Sequence, residues 1–109
     1  TRGILDVALL AQLPRGAYVI NVSRGAMVRQ ADLIAALRSG QISGAALDVF
    51  DTEPLPADDP WWREPGVLVT PHISSQPSPL TVAEQLLENI RRLEAGEALL
   101  NQVDIPRGY

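Results

Sequence analysis

Three short apolar runs constrain this chain more than any other feature: "AYVINV" over residues 17–22, "GAALDVF" over 44–50 and "GVLVT" over 66–70. Each is rich in β-formers, lacks strict polar alternation and is broken off by polar residues. Runs of this kind predict strands covered on both faces, as in a parallel sheet. Between and around them the pattern changes to a helical period.

"LDVALLAQL" offers Asp6 as an N-cap and Leu9, Leu10 and Leu13 at helical spacing, stopped by Pro14 and Gly16. "QADLIAALRSG" places Leu33, Ile34 and Leu37 on one side and Gly40 where a left-handed C-terminal cap belongs. The acidic, proline-rich stretch "DTEPLPADDPWWREPG" reads as a long loop rather than a regular element. After "SSQPSP", a longer helix is predicted from Leu80 to about Glu94. Its apolar stripe is Val82, Ala83, Leu86, Leu87, Ile90 and Leu93, and Gly96 ends it. The tail "NQVDIPRGY" has no periodicity.

Helix, strand, helix, strand, loop, strand, helix is the order of an α/β unit built on a parallel sheet. Three strands are too few to cover such apolar helices on both sides. The chain also opens on Thr1-Arg2-Gly3, with Met27 its sole methionine. We therefore expect a piece of a longer protein.

In open parallel sheets ligands sit beyond the carboxyl ends of the strands. That rule selects Ser23-Arg24-Gly25, Asp48 with the loop after it, and the only histidine, His72, with Ser74 and Ser75. Taken singly, each has an ordinary explanation. Arg24 is a surface arginine at a helix entrance, Asp48 a turn cap, and Glu53 one solvated acid among several. Together they allow more. An arginine can grip a carboxylate through two parallel hydrogen bonds. Of the two acids, one can accept a hydrogen bond from a ligand amide while the other pairs with His72. A carboxylate beside an imidazole favours its protonated form and so keeps a proton ready for transfer. Trp61 and Trp62 either pack the loop or wall off a small pocket. Ser74 and Ser75 either cap the loop or bind a ligand.

The net charge of −4, with basic residues scattered, argues against a nucleic-acid partner. There is no apolar run of membrane-spanning length and no signal-peptide arrangement, so a cytoplasmic location is expected. One histidine and no cysteine make a transition-metal site improbable.

The spaced elements "N-x-x-R-G", "G-A-A-L-D-V-F-x-x-E-P-L-P" and "T-P-H-I", in this order, resemble the D-isomer-specific 2-hydroxyacid dehydrogenases. Within that family, "LPRGAYVINVSRG" and "QVDIPRGY" are most similar to glyoxylate/hydroxypyruvate reductases. The resemblance implies a doubly wound, Rossmann-like nucleotide-binding domain, of which residues 1–78 are the C-terminal half. Residues 79–109 would be the helix and tail that return to the substrate domain.

It also implies reduction of a small 2-oxo acid, such as glyoxylate or hydroxypyruvate, with NADPH or NADH, in a homodimer when complete. Arg24 would bind the substrate carboxylate and carbonyl oxygen, His72 would donate the proton, and Glu53 would be its acidic partner. Val22, Ser23, Arg24, Asp48, His72, Ser74 and Ser75 would border the nicotinamide end of the cofactor. The phosphate-binding G-x-G-x-x-G loop is not found in this chain, so the chain alone is expected to be inactive.

Two departures from the family are visible: Arg29-Gln30 where an acidic helix cap is common, and Asp59 where histidine is frequent. A different class remains open, because transcriptional corepressors of similar sequence keep the fold and cofactor and act by binding partners.

Overall fold

The computed structural model describes residues 1–106. They form two compact units, Thr1–Ser75 and the stretch from Gln76 onward.

In the first unit, helix α1 (Val7–Gln12) begins as its sequence requires, with the Asp6 carboxylate accepting from the Leu9 amide. A second acid helps from a distance, since Asp32 accepts from the Val7 amide at 3.0 Å. Strand β1 (Ala17–Asn21) leads into helix α2 (Gln30–Arg38), and strand β2 (Ile42–Leu47) follows. At the start of α2, Arg29 makes no side-chain cap bond, as expected of a basic residue in that place. At its end Gly40 adopts φ 71°, the left-handed conformation a glycine takes without steric cost. Strand β3 (Val67–Val69) completes a three-stranded parallel sheet in the order β1-β2-β3.

Register places Val19, Ala45 and Val67 side by side, and Ile20, Ala46 and Leu68 in the next row on the opposite face. The first face is the core side, where Val19, Ala45 and Leu47 pack with Leu10 of α1, Leu33 of α2 and Trp61. The second face is bare among the described residues. Tyr18, Ile20 and Leu68 are 53%, 68% and 57% exposed. Of the cover expected on both faces, the described residues of the first unit supply one side. Apolar letters at every position record that both faces are suited to burial, but α1 and α2 both lie on one side.

The proline-rich stretch also holds more order than a plain loop. Pro60–Arg63 form one turn of 3-10 helix, capped by Asp59, which accepts from the Trp61 amide and from the Gln30 side chain. A further 3-10 turn covers Gly25–Met27. Behind the Pro60–Arg63 turn, the buried Glu64 receives a two-pronged bond from Arg38, which fastens α2 to the approach of β3.

In the second unit, helix α3 (Pro79–Ala95) starts on a proline and closes at Gly96. Glu88 bridges Arg91 and Arg92 on one flank. The other flank carries Leu80, Val82, Leu86, Leu87, Ile90 and Leu93, all exposed. No helix among the described residues is long and apolar enough to cross a membrane. Residues 107–109, which carry the last three letters of the tail motif "QVDIPRGY", lie outside the described residues.

Candidate active site

The carboxyl ends of β1, β2 and β3 supply one group of polar residues each. At the end of β1, the buried Asn21 folds its side chain over the next turn. Its Oδ1 accepts from the Ser23 amide at 3.1 Å and its Nδ2 donates to the Arg24 carbonyl at 3.0 Å. The turn leaves Val22, Ser23 and Arg24 exposed. The Arg24 guanidinium makes one hydrogen bond among the described residues, to the adjacent Ser23 carbonyl at 2.7 Å. It is therefore a cation with most of its donors unspent. Gly25 follows for a steric reason. A Cβ there would lie 2.0 Å from the Phe50 carbonyl carbon, so only glycine lets this turn close against the segment leaving β2.

Beyond β2, the chain runs through Phe50 to Glu53, whose two oxygens have different duties. Oε1 accepts from the Phe50 amide at 2.8 Å, and Oε2 lies 2.7 Å from His72 Nδ1. The His72 hydrogen bond, helped by the Phe50 amide and by the charge of Arg24, holds the Glu53 carboxyl below its ordinary range. An ionised carboxylate only accepts, so Nδ1 is assigned the proton. That leaves His72 Nε2 as the nitrogen for exchange with a ligand. Both side chains are partly open, 48% for His72 and 35% for Glu53, so a small molecule can reach the pair.

Asp48, the first residue after β2, is 3% exposed. Its Oδ1 accepts from the Thr70 hydroxyl at 2.5 Å and from the Ile73 amide at 3.0 Å. Its Oδ2 accepts from the Ser74 amide at 2.9 Å. Bonds from Ser74 and Thr70 hold the carboxyl far below its ordinary range in spite of its burial, so it stays ionised. Asp48 thus ties the end of β2 to the loop after β3 rather than capping its own turn. Ser74 takes part through this contact, and Ser75 lies exposed beyond it.

Glu53 is hydrogen-bonded to His72 and lies within electrostatic reach of Arg24. A cavity of about 700 Å³ opens beside His72 and Glu53, walled by Phe50, Leu55, Trp62 and Val69. The two tryptophans divide between their two readings. Trp61 is buried in the core, while Trp62 is half exposed on the cavity wall, its indole N–H bonded to the Pro56 carbonyl at 2.7 Å. Asn21 and Thr70 were not singled out by the sequence. The signal for Asn21 was present in "N-x-x-R-G", since an asparagine two and three residues before a turn can bond both its backbone groups. For Thr70 there was none, because its partner lies 22 residues away.

The family described as D-isomer specific 2-hydroxyacid dehydrogenase, NAD binding domain, matches residues 1–74. Glyoxylate/hydroxypyruvate reductase A of Salmonella paratyphi B is 50% identical over 109 residues, which are 100% of this chain and 35% of that protein. The chain thus spans about a third of the length of the curated relatives it matches.

Among solved structures, a D-isomer specific 2-hydroxyacid dehydrogenase from Xanthobacter autotrophicus Py2 in complex with NADPH and MES is 60% identical, with a TM-score of 0.94. The match covers 100% of this chain and 45% of that one. An NADPH-dependent glyoxylate/hydroxypyruvate reductase from Sinorhizobium meliloti, in complex with NADP and sulfate, is 40% identical with a TM-score of 0.90. That match covers 100% of this chain and 36% of the other. The three-stranded parallel sheet is accordingly part of a Rossmann-like domain. By sequence, fold and motif order, the chain belongs to the D-isomer specific 2-hydroxyacid dehydrogenase family.

Proposed function

We propose that the full-length protein reduces a small 2-oxo acid, glyoxylate or hydroxypyruvate, to the 2-hydroxy acid at the expense of NADPH or NADH. The observation that carries this reading is the Glu53–His72 contact at 2.7 Å, open to solvent and next to an unspent arginine at the carboxyl edge of a parallel sheet. The relatives' names support the substrate class, and the two solved complexes support a nicotinamide cofactor.

The residues at the strand ends fit the nicotinamide end of such a cofactor. Val22, Ser23 and Ser75, all exposed, with Ser74 seated on the buried Asp48, would give a polar border at the edge where parallel sheets take nucleotides. When bound, the reduced nicotinamide supplies the hydride. The steps assigned to this chain fall to Arg24, His72 and Glu53. Arg24 holds the substrate carboxylate and its carbonyl oxygen, which orients the reacting carbon and favours charge on that oxygen. His72, protonated and held through Nδ1 by Glu53, gives the Nε2 proton to the alkoxide as it forms. In the reverse direction neutral His72 takes that proton, so low pH favours reduction and high pH favours oxidation.

This chain carries no glycine-rich phosphate loop, so the reaction is proposed for the full-length protein, working in the cytoplasm as a homodimer. Residues 79–109 then belong with its substrate domain. The test is His72→Ala in that protein, measured as cofactor affinity by fluorescence and as turnover with glyoxylate. Cofactor affinity should be retained while turnover falls by about 10²- to 10⁴-fold, the usual worth of a positioned acid. Near-normal turnover would exclude the assigned role.

A further inference from the structure

We infer that Thr70 and Asp48 form an anchor that sets the position of the His72 imidazole, acting on the reaction through His72 without touching the substrate. The inference rests on the reading of His72 as proton donor.

The segment that carries His72 needs an external hold. His72 sits at φ 54°, a conformation that side-chain-bearing residues rarely adopt, and the residue before it is Pro71, which has no amide to bond. A tight bond from the His72 amide to the Thr70 carbonyl, 3.1 Å, makes the turn but ties it to nothing else. Glu53 holds the imidazole itself, while the chain on either side of it is held by one buried carboxylate. The Thr70 hydroxyl reaches Asp48 from before the histidine, and the Ile73 and Ser74 amides reach it from after. Donors on both sides of His72 therefore converge on Asp48, and the imidazole is carried on a loop pinned at both ends.

The pin extends to the other end of the site. The Asp48 amide donates to the Asn21 carbonyl at 3.0 Å, and the Asn21 side chain grips the Ser23-Arg24 turn. A continuous run of hydrogen bonds thus links the arginine proposed to hold the substrate with the histidine proposed to protonate it. Among these groups Thr70 is the most informative to alter. Among the described residues its hydroxyl has one partner, Asp48, and its backbone place in the sheet, bonded to the Leu47 carbonyl, does not depend on the side chain.

The experiment uses the full-length protein and the variants Thr70→Val, Thr70→Ser, Asp48→Asn and His72→Ala. It reads kcat and KM for glyoxylate, the Kd for NADPH and the melting midpoint. Thr70→Val keeps the shape and loses the donor, so kcat should fall about 10- to 100-fold, as for a catalytic group misplaced by a fraction of an ångström. KM and the cofactor Kd should change by no more than about twofold, because the altered group binds neither ligand. Thr70→Ser restores the hydroxyl and should bring kcat back to within about threefold of the parent.

A Thr70→Val protein with parental kcat, alongside an inactive His72→Ala, would overturn the anchor and leave the proton-donor reading standing. Failure of serine to rescue would overturn it equally. An active His72→Ala would remove both. Should Thr70→Val lose its fold, shown by the melting midpoint, Asp48→Asn decides. Its amide faces an N–H of the loop, and a kcat unchanged from the parent would again overturn the anchor.

Discussion

Replacing Glu53 by glutamine offers a sharp test of how the histidine is held. The carboxylate now accepts from two donors, the Phe50 amide at 2.8 Å through Oε1 and His72 Nδ1 at 2.7 Å through Oε2. Glutamine keeps the shape but has one acceptor oxygen and one NH₂ group. If the oxygen stays with the Phe50 amide, the NH₂ faces Nδ1, which must then give up its proton and accept. The imidazole is left neutral with its hydrogen on Nε2, the wrong charge for an acid. If the oxygen turns to His72, the Phe50 amide meets a donor instead.

Either way the protonated, oriented imidazole is disfavoured. Both side chains are partly exposed, so water makes up some of the loss. We therefore expect kcat for reduction to fall about 10²- to 10³-fold, the lower part of the range for a positioned general acid. Reduction, which uses His72 as the acid, should suffer more than oxidation of the 2-hydroxy acid, which uses it as the base. The assay is steady-state turnover in both directions across a pH series, with the cofactor Kd as a control. A glutamine variant within about threefold of the parent at every pH would refute the reasoning, since no wrong tautomer would then matter.

Other consequences follow from the same geometry. Leu33 of α2 is 0% exposed, so Leu33→Ala should cost about 2–5 kcal/mol of unfolding free energy, read from urea denaturation. In Gly25→Ala the new methyl group would collide with the Phe50 carbonyl, so the Arg24 turn must move. KM for glyoxylate should rise while the melting midpoint also falls. For Asp48 the folded-state value is depressed, so its contribution to stability is complete above the ordinary carboxylate range and is lost as pH falls through that depressed value. The melting difference between the parent and Asp48→Asn should be full at neutral pH and narrow only in strong acid.

How much of this was legible from the letters depends on how far apart the interacting groups are. Asp6 as a cap, Gly40 and Gly96 as helix ends, and the three strand runs rest on neighbours within a few residues, and the structure keeps all of them. The delivery of His72 to the edge where β2 ends was also readable, because parallel strands bring their carboxyl ends together. The bare face of β1 was not readable. Tyr18 and Ile20 declare that they suit burial, and nothing in a run of letters says which element covers them. Trp61 and Trp62 show a second limit, since a single 3-10 turn sends one into the core and the other to the cavity. The work of Asp48 and Thr70 depends on a contact across 22 residues between two strands, which no local pattern encodes.

These strand ends are proposed to perform chemistry rather than only hold a nucleotide. The most direct measurement is the loss of reduced-nicotinamide absorbance when glyoxylate is added to the full-length protein with NADPH. Steady, catalytic oxidation of the cofactor is expected, slowed about 10²- to 10⁴-fold by His72→Ala. Tight binding of NADPH with no turnover on any small 2-oxo acid would contradict it, and would point instead to a nucleotide-sensing interaction protein on the same fold.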